Sequence, residues 1–141
     1  MSKEMEELLK RAEQGDAEVQ CMLGWCYATG WGVPQDYEKA ARWHQKAAEQ
    51  GDAWAQNNLG CCYAEGDGVE KDAAKAAYWW QKAAEQGIAE AQYNLGVCYE
   101  KGRGVEQNFE QAAHWYKKAA EQGDDEAQEA YDKLCEQGYH A

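Results

Sequence analysis

Six cysteines are the residues of this chain best suited to chemistry, as disulfides, zinc ligands or nucleophiles. They are Cys21, Cys26, Cys61, Cys62, Cys98 and Cys135. No two of them have the Cys-x2-Cys spacing that occurs twice in many zinc sites. Cys26, Cys62 and Cys98 recur at one repeat position, which stacked helix pairs separate by about 9–10 Å, beyond the roughly 7 Å that a disulfide allows. We therefore predict reduced cysteines, those three buried as small apolar residues, and no metal or cofactor.

Other catalytic groups are sparse. The one serine, Ser2, lies in the predicted N-terminal cap, which argues against a serine hydrolase. His44 and His114 are far apart on predicted helices, and His140 is in the tail, so all three are expected to be surface or packing residues. The Gly-x-Gly-Val segments lack the Gly-Lys-Ser/Thr ending of a phosphate-binding loop. The sequence predicts a protein that is not an enzyme.

The cysteines recur because the chain itself repeats every 36 residues, three times without a gap. The repeats are 16–51, 52–87 and 88–123, and each ends in Lys-Ala-Ala-Glu-Gln-Gly. Each also carries Leu-Gly-x-Cys-Tyr, followed by Gly-x-Gly-Val. Such a period predicts stacked supersecondary units that share one continuous domain, with residues 1–15 and 124–141 as capping helices.

Each repeat is expected to form two helices, A and B. Asp16 and Asp52 are suitable N-caps for helix A, whereas Ile88 is not. A left-handed glycine is expected to end helix A, and an Asp or Asn to cap helix B. These pairs are Gly30 with Asp36, Gly66 with Asp72, and Gly102 with Asn108.

Two further recurring positions predict how the helices pack. A glycine inside a helix costs about 1 kcal/mol relative to alanine. Its recurrence at Gly24, Gly60 and Gly96 therefore predicts close approach of two helices. On helix B, the recurring tryptophans are interpreted as core residues. They are Trp43, Trp79 and Trp115.

This pattern resembles the Sel1-like repeat family, relatives of the tetratricopeptide repeats. The motif Ala-x-x-x-Leu-Gly-x-x-Tyr-x-x-Gly-x-Gly-Val-x-x-Asp-x-x-Lys-Ala-x-x-Trp-x-x-Lys-Ala-Ala is almost complete in the first two repeats; the third departs at Asn108 and Gln111. The resemblance implies an all-α fold, a right-handed α/α solenoid of three helix-turn-helix repeats with helical caps. It also implies a role in protein–protein contacts without chemistry of its own.

The net charge of −12 limits the partners. It argues against nucleic acid and against an anionic membrane surface, both of which attract clustered Lys and Arg. No apolar run is long enough to span a membrane. We expect a monomer that binds a neutral or basic protein or peptide. The chain as given is expected in the cytoplasm, with a removed leader left open.

Positions that vary between repeats are free to recognise a partner. On helix A they form one stripe opposite the buried face, expected to line a concave groove. The candidate partner-binding residues are Met22, Trp25, Trp54, Asn57, Asn58, Cys61, Tyr93, Asn94, Val97 and Lys101. The aromatic members would supply apolar contact. By the tetratricopeptide resemblance, Asn58 and Asn94 would bond the backbone of a bound peptide.

Alternatives remain for the stripe and for the chain. Trp25 and Trp54 could pack against neighbouring repeats instead of facing a groove, and the two asparagines could be solvated surface amides. The whole chain could be a structural scaffold without a cognate ligand, natural or consensus-designed. An enzyme acting on β-lactams, a reaction once reported for members of the resembling family, is the weakest hypothesis because nucleophiles are lacking.

Overall fold

Eight α-helices and no strands make up residues 1–140, the part of the chain that this computed structural model describes. The helices are α1 (Lys3–Glu13), α2 (Ala17–Thr29), α3 (Tyr37–Glu49), α4 (Ala53–Glu65), α5 (Ala73–Glu85), α6 (Ala89–Lys101), α7 (Phe109–Glu121) and α8 (Asp125–Glu136). Helices α2, α4 and α6 are the predicted A helices, and α3, α5 and α7 are the predicted B helices. The helix pair expected in each repeat is therefore confirmed.

The chain divides into two compact units, one containing α1 to α4 (Met1–Lys71) and one beginning at Asp72 and containing α5 to α8. In each unit, consecutive helices pack against one another. The expectation of one continuous domain stays a prediction.

The helix ends form where the sequence predicts them. The Asp16 and Asp52 carboxylates accept hydrogen bonds from the backbone N–H groups of Val19 and Ala55, at 3.3 and 2.9 Å. Ile88 makes no side-chain cap, also as predicted. Each A helix ends at a left-handed glycine, and each B helix begins after an Asp or Asn whose side chain accepts from the backbone. These caps fix the register of every helix.

Close helix approach is found at Gly24 and Gly96. A Cβ added to Gly24 would lie 2.7 Å from Nε2 of His44. A Cβ added to Gly96 would lie 2.7 Å from Cδ1 of Tyr116. Real Cβ atoms essentially never come that close to another heavy atom. The prediction is confirmed for α2 against α3 and for α6 against α7.

The tryptophan prediction is only partly right. Trp115 is buried, but Trp43 and Trp79 are half-buried. The next residue in each B helix is buried in all three repeats, and these residues are His44, Trp80 and Tyr116. Successive helical side chains point about 100° apart, so these residues and the tryptophans before them face different surroundings. His44 is therefore a packing residue, which is one of the two expected roles.

A glutamine recurs at one repeat position and links each A helix to the helix before it, a role that the sequence analysis did not predict. Gln20, Gln56 and Gln92 are buried, and each donates its side-chain N–H to a carbonyl eight residues earlier. Gln20 bonds Ala12 at 2.9 Å, and Gln92 bonds Ala84 at 3.1 Å. These bonds tie the start of each A helix to the end of the helix before it.

Candidate partner-binding site

A hollow of about 390 Å³ opens between α6 and α8 in the C-terminal unit. Its α6 wall contains Tyr93, Val97 and Lys101, three residues of the predicted stripe. They lie four residues apart, so they share one face of the helix. The structure thus brings three of the predicted binding residues into one concave surface.

A buried tyrosine, Tyr116, also lines the hollow. The Tyr116 hydroxyl donates to Oε1 of Glu100 at 2.7 Å. Burial, followed by this carboxylate, raises the pKa of Tyr116 well above its usual value, so the hydroxyl remains a donor at neutral pH. The Tyr93 ring lies 5.6 Å from the Tyr116 ring, centroid to centroid, at 43°. Tyr93 and Glu100 are thereby both fixed by contact with one residue of α7.

The walls are predominantly acidic. Glu126 and Glu129 of α8 face the hollow together with Glu100. The pKa of Tyr93 is raised, first by burial and then by the charges of Glu126, Asp124, Glu100 and Glu129. Lys101 and Lys133 also line the hollow, but Lys133 is only 3.6 Å from Glu129 and so compensates that carboxylate. The local potential therefore favours a cationic or neutral occupant.

Three stripe residues of the N-terminal unit are large, apolar and exposed. Met22, Trp25 and Trp54 are 45%, 52% and 57% exposed on α2 and α4. Trp25 touches Trp31 of the following loop, with centroids 6.3 Å apart. This exposure favours an accessible surface over packing for the two stripe tryptophans.

The polar members of the stripe differ from expectation. Asn57 is 1% exposed, so its expected place on the partner-binding face is wrong. Variation between repeats marked it as surface, although the same position holds partly buried Cys21 and Tyr93. Asn58 is half-buried, and its amide lies 3.9 Å from Sγ of Cys21. The remaining stripe residues, Cys61 and Asn94, are half-buried and do not line the hollow.

Three of the six cysteine thiols are poor nucleophiles at neutral pH. Burial raises the pKa of Cys21 and of Cys62 to about 12, and that of Cys98 to about 11. A reactive cysteine requires a lowered pKa, because the thiolate is the nucleophile. Cys26 and Cys98 are buried as predicted, whereas Cys62 is only half-buried. No group of His, Cys, Asp or Glu within residues 1–140 is arranged to hold a metal ion.

Comparison with known proteins places this architecture in a family. The Sel1 repeat model matches residues 17–52, 55–88 and 89–124, close to the three predicted repeats. The chain belongs to the Sel1 repeat family, whose members are protein-interaction scaffolds. Its all-α repeat fold, predicted from the sequence, is confirmed. No curated protein matches the chain.

Solved Sel1 repeat structures are similar to this chain. c5321, described as a protective antigen of uropathogenic Escherichia coli strains, is 44% identical with a TM-score of 0.85. The match covers 87% of this chain but only 26% of c5321, so the chain spans about a quarter of that protein. A Sel1 repeat protein from Oxalobacter formigenes is 39% identical, with a TM-score of 0.85 and coverage of 94% and 99%. Helicobacter pylori cysteine-rich protein B is 29% identical, with a TM-score of 0.67 and coverage of 84% and 91%.

Within residues 1–140, no helix combines the length and apolar character needed to cross a membrane.

Proposed function

We propose that this chain is a non-enzymatic interaction module whose helix-A stripe binds a peptide or a partner helix, with the hollow between α6 and α8 as its principal anchor. One observation carries the proposal: Tyr93, Val97 and Lys101 were selected because they vary between repeats, and they line the same hollow. Variable residues in a shared concavity are what specific recognition requires.

The hollow suits an apolar side chain flanked by a basic one. Tyr93 and Val97 provide an apolar wall, and a tyrosine held in place by Tyr116 loses little conformational freedom on binding. Glu126 stands opposite and attracts Lys or Arg from the partner. The partner is accordingly a protein or peptide with neutral or basic character, and not a nucleic acid.

Other stripe residues are proposed to contribute within each unit by itself. Asn94 lies on α6 beside Tyr93 and is proposed to bond the backbone of the bound segment. Asn58, Cys61 and the exposed Trp25 and Trp54 are proposed to add contacts on the N-terminal unit. We propose that the chain acts as a monomer in the cytoplasm, a reducing compartment that suits its free cysteines.

The test is a selection of random twelve-residue peptides displayed on phage against the purified chain. Enriched sequences are expected to combine an aromatic or aliphatic residue with Lys or Arg. Binding of a selected synthetic peptide is then compared between wild type and Glu126→Lys. We expect a loss of about tenfold, the size of one charge-assisted contact.

Glu136→Lys is the matched control, because Glu136 is also an exposed glutamate of α8 and does not line the hollow. It is expected to leave the affinity within about twofold. A selection that enriches nothing would favour the scaffold without a ligand. Equal losses in both variants would show that net charge, and not the hollow, controls binding.

A further inference from the structure

A second hollow, of about 290 Å³, lies in the N-terminal unit between α1, α2 and α3. Its apolar lining is Leu9, Tyr27 and Trp43, and its rim is Lys39, Arg42 and Lys46. It shares no residue with the helix-A stripe and is independent of the function proposed above. We propose that this hollow binds a partner peptide through one large apolar side chain flanked by carboxylates.

The charge of the rim is opposite to that of the molecule. The chain has 14 Lys and Arg against 26 Asp and Glu, yet three of the basic residues border this one hollow. None of the three has a carboxylate oxygen within 4.0 Å in the described residues. Arg42 and Lys46 are four residues apart on α3, a spacing at which like charges destabilise a helix. An anionic occupant would relieve this repulsion and supply the missing partners.

The cations are already oriented by the aromatic lining. Nζ of Lys39 lies 5.5 Å from the centroid of the Tyr27 ring, and Nζ of Lys46 lies 5.4 Å from that of Trp43. Cation–π contact holds an ammonium group without neutralising it. Both groups therefore remain available to carboxylates at the rim, while the ring surfaces and Leu9 form the floor.

The size of the hollow indicates what it holds. At about 290 Å³ the hollow has room for one large side chain. A peptide with Phe or Leu between Asp and Glu residues fills the floor and meets the rim. A nucleic acid would also carry negative charge, but three basic residues neutralise only a few of its regularly spaced phosphates.

This combination is specific to the first repeat. The position of Arg42 holds Tyr78 in the second repeat and His114 in the third. The position of Lys46, by contrast, holds a lysine in all three, which include Lys118 on α7. Lys118 is exposed and thus provides a control at the same repeat position, outside the hollow.

The test titrates ¹⁵N-labelled full-length chain with acetyl-Asp-Glu-Phe-Glu-Asp-amide and follows the indole N–H signal of Trp43. We expect a saturable shift below about 1 mM, weakened about tenfold by Arg42→Glu or Lys46→Glu and changed less than twofold by Lys118→Glu. Circular dichroism checks that each variant remains helical; both altered residues are exposed, so folding is expected to be retained.

Three further ligands test which kind of partner the hollow recognises. Replacing Phe by Ala in the peptide is expected to weaken binding at least fivefold, and a Lys-Lys-Phe-Lys-Lys peptide is expected not to bind. The proposal is overturned if the Trp43 signal does not move, if the basic peptide binds equally, or if Lys118→Glu weakens binding as much as Lys46→Glu. Tighter binding of a twelve-residue oligothymidylate than of the acidic peptide would also overturn it, in favour of a nucleic-acid site.

Discussion

Gly24 of α2 lies against the imidazole ring of His44 on α3, so closely that no side chain fits between the two helices. His44 is 3% exposed, and its Nδ1 has no hydrogen-bond partner. The same arrangement recurs in the third repeat with Gly96 and the Tyr116 ring. Each of these glycines thus allows a large ring to pack directly against the backbone of the neighbouring helix.

Gly24→Ala is expected to destabilise the chain by about 1–3 kcal/mol, because overpacking outweighs the helix propensity gained. The free energy of unfolding from urea titration measures this loss. In a His44→Ala background the same substitution should cost far less, since the clashing ring is gone. Equal costs in both backgrounds would show that the ring contact is not responsible.

His44 makes stability depend on pH. Burial, opposed by the charge of Asp52, lowers the pKa of His44 to about 4, compared with about 6.5 in the unfolded chain. Between these values the unfolded chain binds a proton that the folded chain does not, so stability falls as pH falls through this window. We expect this residue alone to contribute a loss of about 2 kcal/mol between pH 7 and pH 5.

His44→Tyr, which introduces the residue of the third repeat, removes this titration. Urea unfolding at pH 7 and pH 5 should therefore show a smaller acid loss in the variant than in wild type, by about 2 kcal/mol. The His114→Tyr variant is the control, because His114 is exposed on α7. An unchanged acid loss in His44→Tyr would contradict the assignment.

We expect each buried glutamine to contribute more to the free energy of unfolding than a glutamine on the surface. Gln92 donates to Ala84 and accepts a hydrogen bond from Gln122 at 2.9 Å. Gln92→Met should cost about 1–3 kcal/mol of unfolding free energy, since buried polar partners lose their bonds. Gln128 holds the same position in α8 but is exposed and bonds Asp132, so Gln128→Met should cost less than about 0.5 kcal/mol.

We expect Asn57 to lower the stability of the folded chain. Both polar atoms of its amide are buried without a hydrogen-bond partner. Asn57→Cys introduces the residue found at this position in the first repeat, with similar volume and weaker hydration. The melting temperature, measured in reducing buffer, should rise by a few degrees, corresponding to about 1 kcal/mol. A fall would show that the amide is satisfied in solution.

Much of this fold could be predicted from the sequence because residues that begin and end helices recur from repeat to repeat. Capping by Asp16 or Asp52 and chain reversal at Gly30 depend on local chemistry that recurs in register. The buried glutamines carried the same signal: Gln20, Gln56 and Gln92 are identical polar residues at one repeat position, where surface residues usually differ.

The candidate site was harder to predict, because variation between repeats does not measure exposure. Asn57 varies and is buried, whereas Val97 varies and lines a hollow. The opposite wall comes from α8, where the repeat pattern weakens. Glu126 and Glu129 therefore could not be linked to the stripe before the packing of α8 was known.

We propose above that a partner peptide binds between α6 and α8. The most direct measurement is a backbone amide chemical-shift titration of the ¹⁵N-labelled chain with the peptide selected by display. The largest shifts are expected at Tyr93, Val97 and the first two turns of α8, and they should be lost in Val97→Asp, whose helical fold is checked by circular dichroism. Saturable binding with its largest shifts outside α6 and α8, or undiminished in Val97→Asp, would contradict it.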